Sequence, residues 1–108
     1  MSQRRRLPDR RAGETCEMIF RGQNYHLSYS RFDDGGLAEI FITAAKTSTD
    51  AADDARDAAL CLSIGLQHGV PAETIRKAVT RANDGTPAGV IGAALDLLAS
   101  DEQREESL

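Results

Sequence analysis

Apolar and polar residues alternate in two early stretches, TCEMIF (15–20) and YHLSYSRF (25–32). Cys16, Met18 and Phe20 fall on one side of the first, and Tyr25, Leu27 and Tyr29 on one side of the second. A period of two marks a strand with one buried face. The intervening RGQN reads as a turn. LAEIFITA (37–44) forms a third such run, with Ala38, Ile40 and Ile42 on one face and Leu37, Glu39 and Phe41 on the other. The DDGG before it supplies a glycine for the positive φ that a tight hairpin needs. Three short strands in sequence order predict an antiparallel meander with open edges. Glu17 and Glu39 could face each other across it, although solvated strand carboxylates are the expectation.

Beyond residue 45 the period changes. Ser48 and Thr49 are candidate N-caps, and the run from Asp50 to His68 contains no proline and is closed by Gly69, which predicts one long helix. Ala51, Ala55, Ala58, Leu62 and Leu66 share one stripe of it, small enough at the start for close packing on a sheet. A second stripe begins with Asp53 and Asp57 and continues with Leu60, Cys61 and Ile64, so the helix turns apolar on two sides. A second helix opens at Pro71, with Ile75, Ala78, Val79 and Ala82 in period. A third occupies VIGAALDLLAS (90–100), with Val90, Ala94, Leu97 and Leu98 calling for cover. The expected fold is therefore α+β: a three-stranded antiparallel meander, a long helix packed on the sheet, and two shorter helices. Those two are expected on the far side of the long helix, over Leu60 and Ile64.

The 108 residues suffice for one domain with a modest core. The expected division is a basic arm over 1–12, a domain over 13–100 and a charged, flexible tail over 101–108. Neither a signal peptide nor an apolar run of membrane-spanning length stands out, and the two cysteines, Cys16 and Cys61, match no metal spacing. A cytoplasmic protein with two reduced core thiols and no cofactor is the expectation. The net charge of −4 hides an asymmetry, because residues 1–31 carry seven arginines against three acids. The arm is basic and the body acidic.

Candidate chemistry is sparse. His26 and His68 lie in different elements, and no group of titratable residues converges as a catalytic site would require. Arg10 and Arg11 of the arm are candidate ligand contacts for a phosphate or an acidic surface, as are Lys46, Ser48 and Thr49 at a helix start, where free N–H groups favour anions. Simple capping explains Ser48 and Thr49 equally. GLQHGVPAETIRKAVTR imitates a helix-turn-helix within residues 58–82, with Arg76, Lys77 and Arg81 as phosphate contacts. Against it, the preceding helix exposes Asp53 and Asp57 where a duplex requires positive charge. Asp50, Asp53 and Asp54 similarly oppose a double-stranded-RNA-binding reading of the meander and helix.

Taken together, LPDRRAGET, RFDDGGLAEIFI, KTSTDAADDARDAALCLSIGLQHGVPAETIRKAV and DGTPAGVIGAALDLLA resemble the TSCPD domain. That small domain is found at the C-terminal end of adenosylcobalamin-dependent (class II) ribonucleotide reductases and as free-standing short proteins. The resemblance runs from about Leu7 to Ala99. It implies a free-standing accessory domain with a reductase, a nucleotide or nucleic acid as partner and no catalysis of its own. Many members carry four cysteines proposed as a zinc site and a Thr-Ser-Cys-Pro-Asp signature. This chain has neither, so no metal is implied. Ile19 and Phe41, on the outer sheet face, and the Leu60–Ile64 stripe are candidate surfaces for a homodimer; the alternative is that Leu7 and Pro8 of the arm cover the outer face.

Overall fold

A computed structural model describes residues 13–45 and 50–106 of the chain. Strands β1 (Gly13–Phe20), β2 (Gln23–Arg31) and β3 (Leu37–Ala44) form one antiparallel sheet in the order β1-β2-β3, followed by α1 (Asp50–Gln67), α2 (Ala72–Ala78) and α3 (Val90–Glu106). The expected α+β meander with a long helix and two shorter ones is what the chain adopts.

Local chemistry explains the turns. Arg21 and Gly22 link β1 to β2 with φ of 50° and 76°, the double positive value of a two-residue hairpin whose twist matches that of the strands. In the β2–β3 hairpin Gly35 sits at φ 90°, its N–H donating to the Phe32 carbonyl, while the Asp34 carboxylate accepts from the Gly36 N–H. Gly69, at φ 97°, ends α1: its own N–H reaches the Leu66 carbonyl and that of Val70 reaches Gly65, the paired bonds of a Schellman cap.

The inner face of the sheet carries Met18, Tyr25, Leu27, Tyr29, Ile40 and Ile42, all buried, against Ala55, Ala59, Leu62 and Leu66 of α1 and Ala94, Leu95 and Leu98 of α3. Leu37 joins them, contrary to its expected place beside Glu39 and Phe41. The register slips between Ser30 and Arg31, so that Leu37 pairs with Arg31 while Glu39 pairs with Ser30. Such a bulge reverses the alternation beyond it. Glu17 pairs with His26 and Glu39 with Ser30, so the two glutamates do not face each other.

The buried stripe of α1 is also rotated from expectation. Ala52, Ala55, Ala59, Leu62, Ser63, Leu66 and Gln67 are buried, whereas Ala51 is exposed and Ala58 only half-buried. The rotation brings two polar side chains to the outer edge of β3. The Ile40 N–H donates to Ser63 Oγ at 2.9 Å, the Ser63 hydroxyl donates back to the Ile40 carbonyl at 2.9 Å, and Gln67 Nε2 donates to the Ala38 carbonyl at 3.3 Å. This helix thus satisfies backbone groups of an edge strand, so that the β3 edge, expected to be open, is capped at Ala38 and Ile40.

Helices α2 and α3 do not cover the second stripe of α1. Leu60 and Ile64 remain 52% and 40% exposed, and Cys61, expected in the core, is exposed on the same uncovered side, while Cys16 is half-buried. Instead α3 lies on the inner sheet face, where it touches β1, α1 and α2, while α1 packs chiefly on β3. Two helices side by side cover one sheet face better than a stack would, because α3 then shields the half of the sheet that α1 leaves bare. The third helix also continues through Glu106, beyond the expected end at Ser100.

Candidate functional site

Where the β2–β3 hairpin meets the end of α1, the start of α2 and the middle of α3, the surface opens into a cleft of about 350 Å³. Leu37, Leu66, Leu95 and Leu98 line it, and Arg31, Asp34, Glu73 and Arg76 stand among its polar residues. The Schellman cap builds this site. It turns the chain sharply out of α1, so that Val70 and Pro71 become one wall of the cleft rather than a continuation of the helix.

Beside the cleft, Asp96 of α3 holds two guanidinium groups. Arg81 donates to both carboxylate oxygens at 2.8 Å, and Arg76 Nε donates to Oδ1 at 2.8 Å. Arg76 also reaches Glu73 at 3.3 Å, and Arg81 donates to the carbonyls of Arg76 and Gly85. The hydrogen bonds from Arg81 and then Arg76 hold the Asp96 carboxyl well below the usual carboxylate range against the opposing effect of burial. The same bonds raise both guanidinium values. A carboxylate so tightly committed makes a poor general base; its work is to fasten α2 and the following loop onto α3.

That loop is itself ordered by pairing. The Ala82 N–H donates to the Thr86 carbonyl and that of Ala88 to Thr80, while the Asp84 carboxylate accepts from both the N–H and the hydroxyl of Thr86. It crosses α3 at Gly92, where an added Cβ would stand 3.0 Å from Pro87 Cβ. On the other side of the sheet edge, the Tyr29 hydroxyl donates to Glu14 at 2.6 Å; burial and this bond push the Tyr29 hydroxyl up.

The residues singled out from sequence are dispersed. Arg10, Arg11, Lys46, Ser48 and Thr49, and Leu7 and Pro8 with them, lie outside the described residues. Of the helix-turn-helix set, Arg76 and Arg81 come together on Asp96, and Lys77 is exposed. Only Arg76 and Lys77 are helical: α2 has seven residues and stops at Ala78, short of the expected Ala82, because Val79 is extended and Thr80 pairs with Ala88. The sequence reading did not single out Asp96. A lone carboxylate inside the apolar run GAALDLLA was the signal, since a half-buried charge demands a partner. Among the described residues there is no group of three or more potential metal ligands, and no helix is long and apolar enough to cross a membrane.

No protein-family model and no solved structure matches the chain. Comparison with known sequences gives a consistent result. Eighty residues, 74% of the chain, are 36% identical to part of the vitamin B12-dependent ribonucleotide reductase of Bradyrhizobium diazoefficiens, and 89 residues, 82% of the chain, are 35% identical to part of that of Agrobacterium fabrum. The reductase of Streptantibioticus cattleyicolor is 34% identical over 71 residues. The matched stretches make up 6%, 7% and 12% of these three proteins. The chain is thus similar to one short segment of vitamin B12-dependent ribonucleotide reductases.

Proposed function

We propose that this chain is a non-catalytic accessory domain of the TSCPD type whose partner is a vitamin B12-dependent ribonucleotide reductase. The carrying observation is the 36% identity over 80 residues to a stretch that is only 6% of such an enzyme. A match confined to so small a share of the enzyme supports a module that accompanies the reaction centre, and the present fold gives that module a cleft with which to bind. The chemistry of ribonucleotide reduction stays with the reductase.

The test is direct binding. The purified full-length chain is immobilised, and a vitamin B12-dependent reductase is passed over it alone and in the presence of ribonucleotides. Saturable binding is expected; reductase that elutes with the void, with and without nucleotide, overturns the proposal. The same surface challenged with nucleotides alone tests nucleotide binding by the domain itself.

The nucleic-acid alternative has less support. Two of its three cations are bonded to Asp96, and the recognition helix has seven residues. If duplex DNA were nevertheless the ligand, binding would fall steeply with salt and weaken in Lys77→Ala. Homodimerisation is a separate proposal, supported by the exposed Leu60 and Ile64 one turn apart on α1, and light scattering tests it.

A further inference from the structure

We propose that the free border of β1 is a peptide-binding edge: an extended segment of another protein, apolar at alternate residues and basic between them, adds to it as a further strand. The border's own geometry carries this, independently of the reductase reading.

Antiparallel pairs alternate between those that exchange hydrogen bonds and those that do not. The two-residue turn at Arg21 and Gly22 makes Phe20 and Gln23 the bonded pair that closes the hairpin, so Ile19–Asn24, Glu17–His26 and Thr15–Ser28 are unbonded. The Asn24 carbonyl agrees: it accepts from the Ala45 N–H on the β3 side, away from Ile19. The N–H and C=O groups of Thr15, Glu17 and Ile19 therefore point outward, with no strand beyond them among the described residues. They recur about every 7 Å, the repeat of any strand laid alongside.

Beside this border lies a groove of about 710 Å³. Residues 17–21 form one side of it in unbroken succession. Successive strand residues point to opposite faces, so only the edge can present Met18 and Phe20 of the inner face together with Glu17 and Ile19 of the outer one. The far side includes Pro87 of the loop and Ala93 and Leu97 of α3. Phe20, Ala93 and Leu97 are only partly buried, which leaves the slot apolar and incompletely filled. Its far wall is fixed beforehand by the Arg81–Asp96 bonds and by the turn that Asp84 closes on Thr86, and such preorganisation lowers the cost of seating a ligand.

Outward backbone groups beside an apolar slot suit an extended peptide, whose main chain bonds the border while every second side chain enters the slot. Charge sets the residues between. β1 carries Glu14 and Glu17 and no base, and Arg21 stands beyond the strand's end, stacked on the Phe20 ring. The Glu17 side chain, beside His26 at 3.7 Å, is 80% exposed on the outer face, where a lysine or arginine opposite it is favourable and another acid is not. A second copy of this chain is the poorer occupant. Pairing β1 with β1 about a two-fold axis would bring two glutamates from each copy to one joint, and would set both copies' α3 and 82–88 loop on the same side of it.

The test uses the isotope-labelled full-length chain and a short synthetic peptide that alternates valine and lysine. Saturable binding is expected, with the amides of Thr15, Glu17 and Ile19 passing from fast hydrogen exchange to protection while those of Cys16 and Met18, turned toward β2, stay protected throughout. The same peptide N-methylated at every residue should not bind, and a valine–glutamate peptide should bind about twofold to fivefold more weakly. Glu17→Lys, at an exposed site, should reverse that order of preference. Equal binding by the methylated peptide would reveal contact through side chains alone and overturn strand addition, as would peptide-induced changes centred on Leu37 and Leu95, on Leu60 and Ile64, or nowhere. Protection of the Thr15, Glu17 and Ile19 amides in the chain by itself would refute a free border, and an order of preference unmoved by Glu17→Lys would refute the basic character of the partner.

Discussion

Replacing Ser63 by alanine tests how α1 is fixed to the sheet. In the native chain one hydroxyl closes two bonds at 2.9 Å, accepting from the Ile40 N–H and donating to the Ile40 carbonyl, and both residues are buried. Alanine fits the space and is a better helix former, so propensity alone would predict a slight gain. The opposing effect is larger. Two buried backbone groups lose their partner, each at about 1–3 kcal/mol, and partial relaxation leaves a net loss of roughly 2–4 kcal/mol. In a domain of this size about 1 kcal/mol moves the melting temperature by some 4–8 °C, so Ser63→Ala should melt roughly 8–30 °C below the parent. Circular dichroism melts give the number, with Ser28→Ala, on the exposed outer sheet face, expected within about 0.5 kcal/mol of the parent as control. Hydrogen exchange adds the local readout, because the Ile40 amide should lose protection selectively. A variant that melts within about 3 °C of the parent with its Ile40 amide still protected would refute the clasp, since a ~1 kcal/mol loss already exceeds that shift.

Other expectations follow from the same packing. Leu66→Ala should cost about 2–5 kcal/mol in urea unfolding, since Leu66 is 2% exposed, while Leu60→Ala, at a site 52% exposed, should change stability little. Gly92→Ala should destabilise by about 1 kcal/mol net, overpacking outweighing helix propensity, because the new methyl meets Pro87 at 3.0 Å and Val79 at 3.3 Å; equilibrium unfolding decides the sign. The depressed Asp96 carboxyl contributes stability that is complete above the unfolded carboxylate value of about 3.9 and is lost as acid carries the pH below that toward the lower folded value. Acid titration of Asp96→Asn should therefore show a flatter limb below about pH 4 than the parent, and identical limbs would count against the clamp.

The elements were legible where the pattern has only one solution. The two-residue alternation of Met18, Tyr25, Leu27 and Tyr29 fixes their face, and Gly69 marks the end of α1 at the residue where φ becomes positive. Phase was harder to read in AADDARDAAL, because alanines on every side leave several equivalent stripes, and the true one includes Ala52 and Ala59 rather than Ala51 and Ala58. Ser63 and Gln67 were invisible to a hydrophobic pattern, although they decide that α1 lies along the β3 edge. The bulge at Ser30 and Arg31 has no marker in the sequence, so Leu37 was assigned to the wrong face. The cleft follows from these long-range placements. Its walls come from β2, β3, α1, α2 and α3, and no local pattern brings Leu37 beside Leu95.

The clasp on β3 also leaves the sheet with ends of different kinds. One border is stitched to α1 through Ser63 and Gln67, and β1, at the other, has only β2 as a strand neighbour among the described residues. Continuous edge-to-edge growth of a sheet needs two receptive borders per molecule, whereas one border permits a pair and then stops. The clasp at Ala38 and Ile40 thus obstructs strand addition along that part of β3, and weakening it would open a second border to an incoming strand.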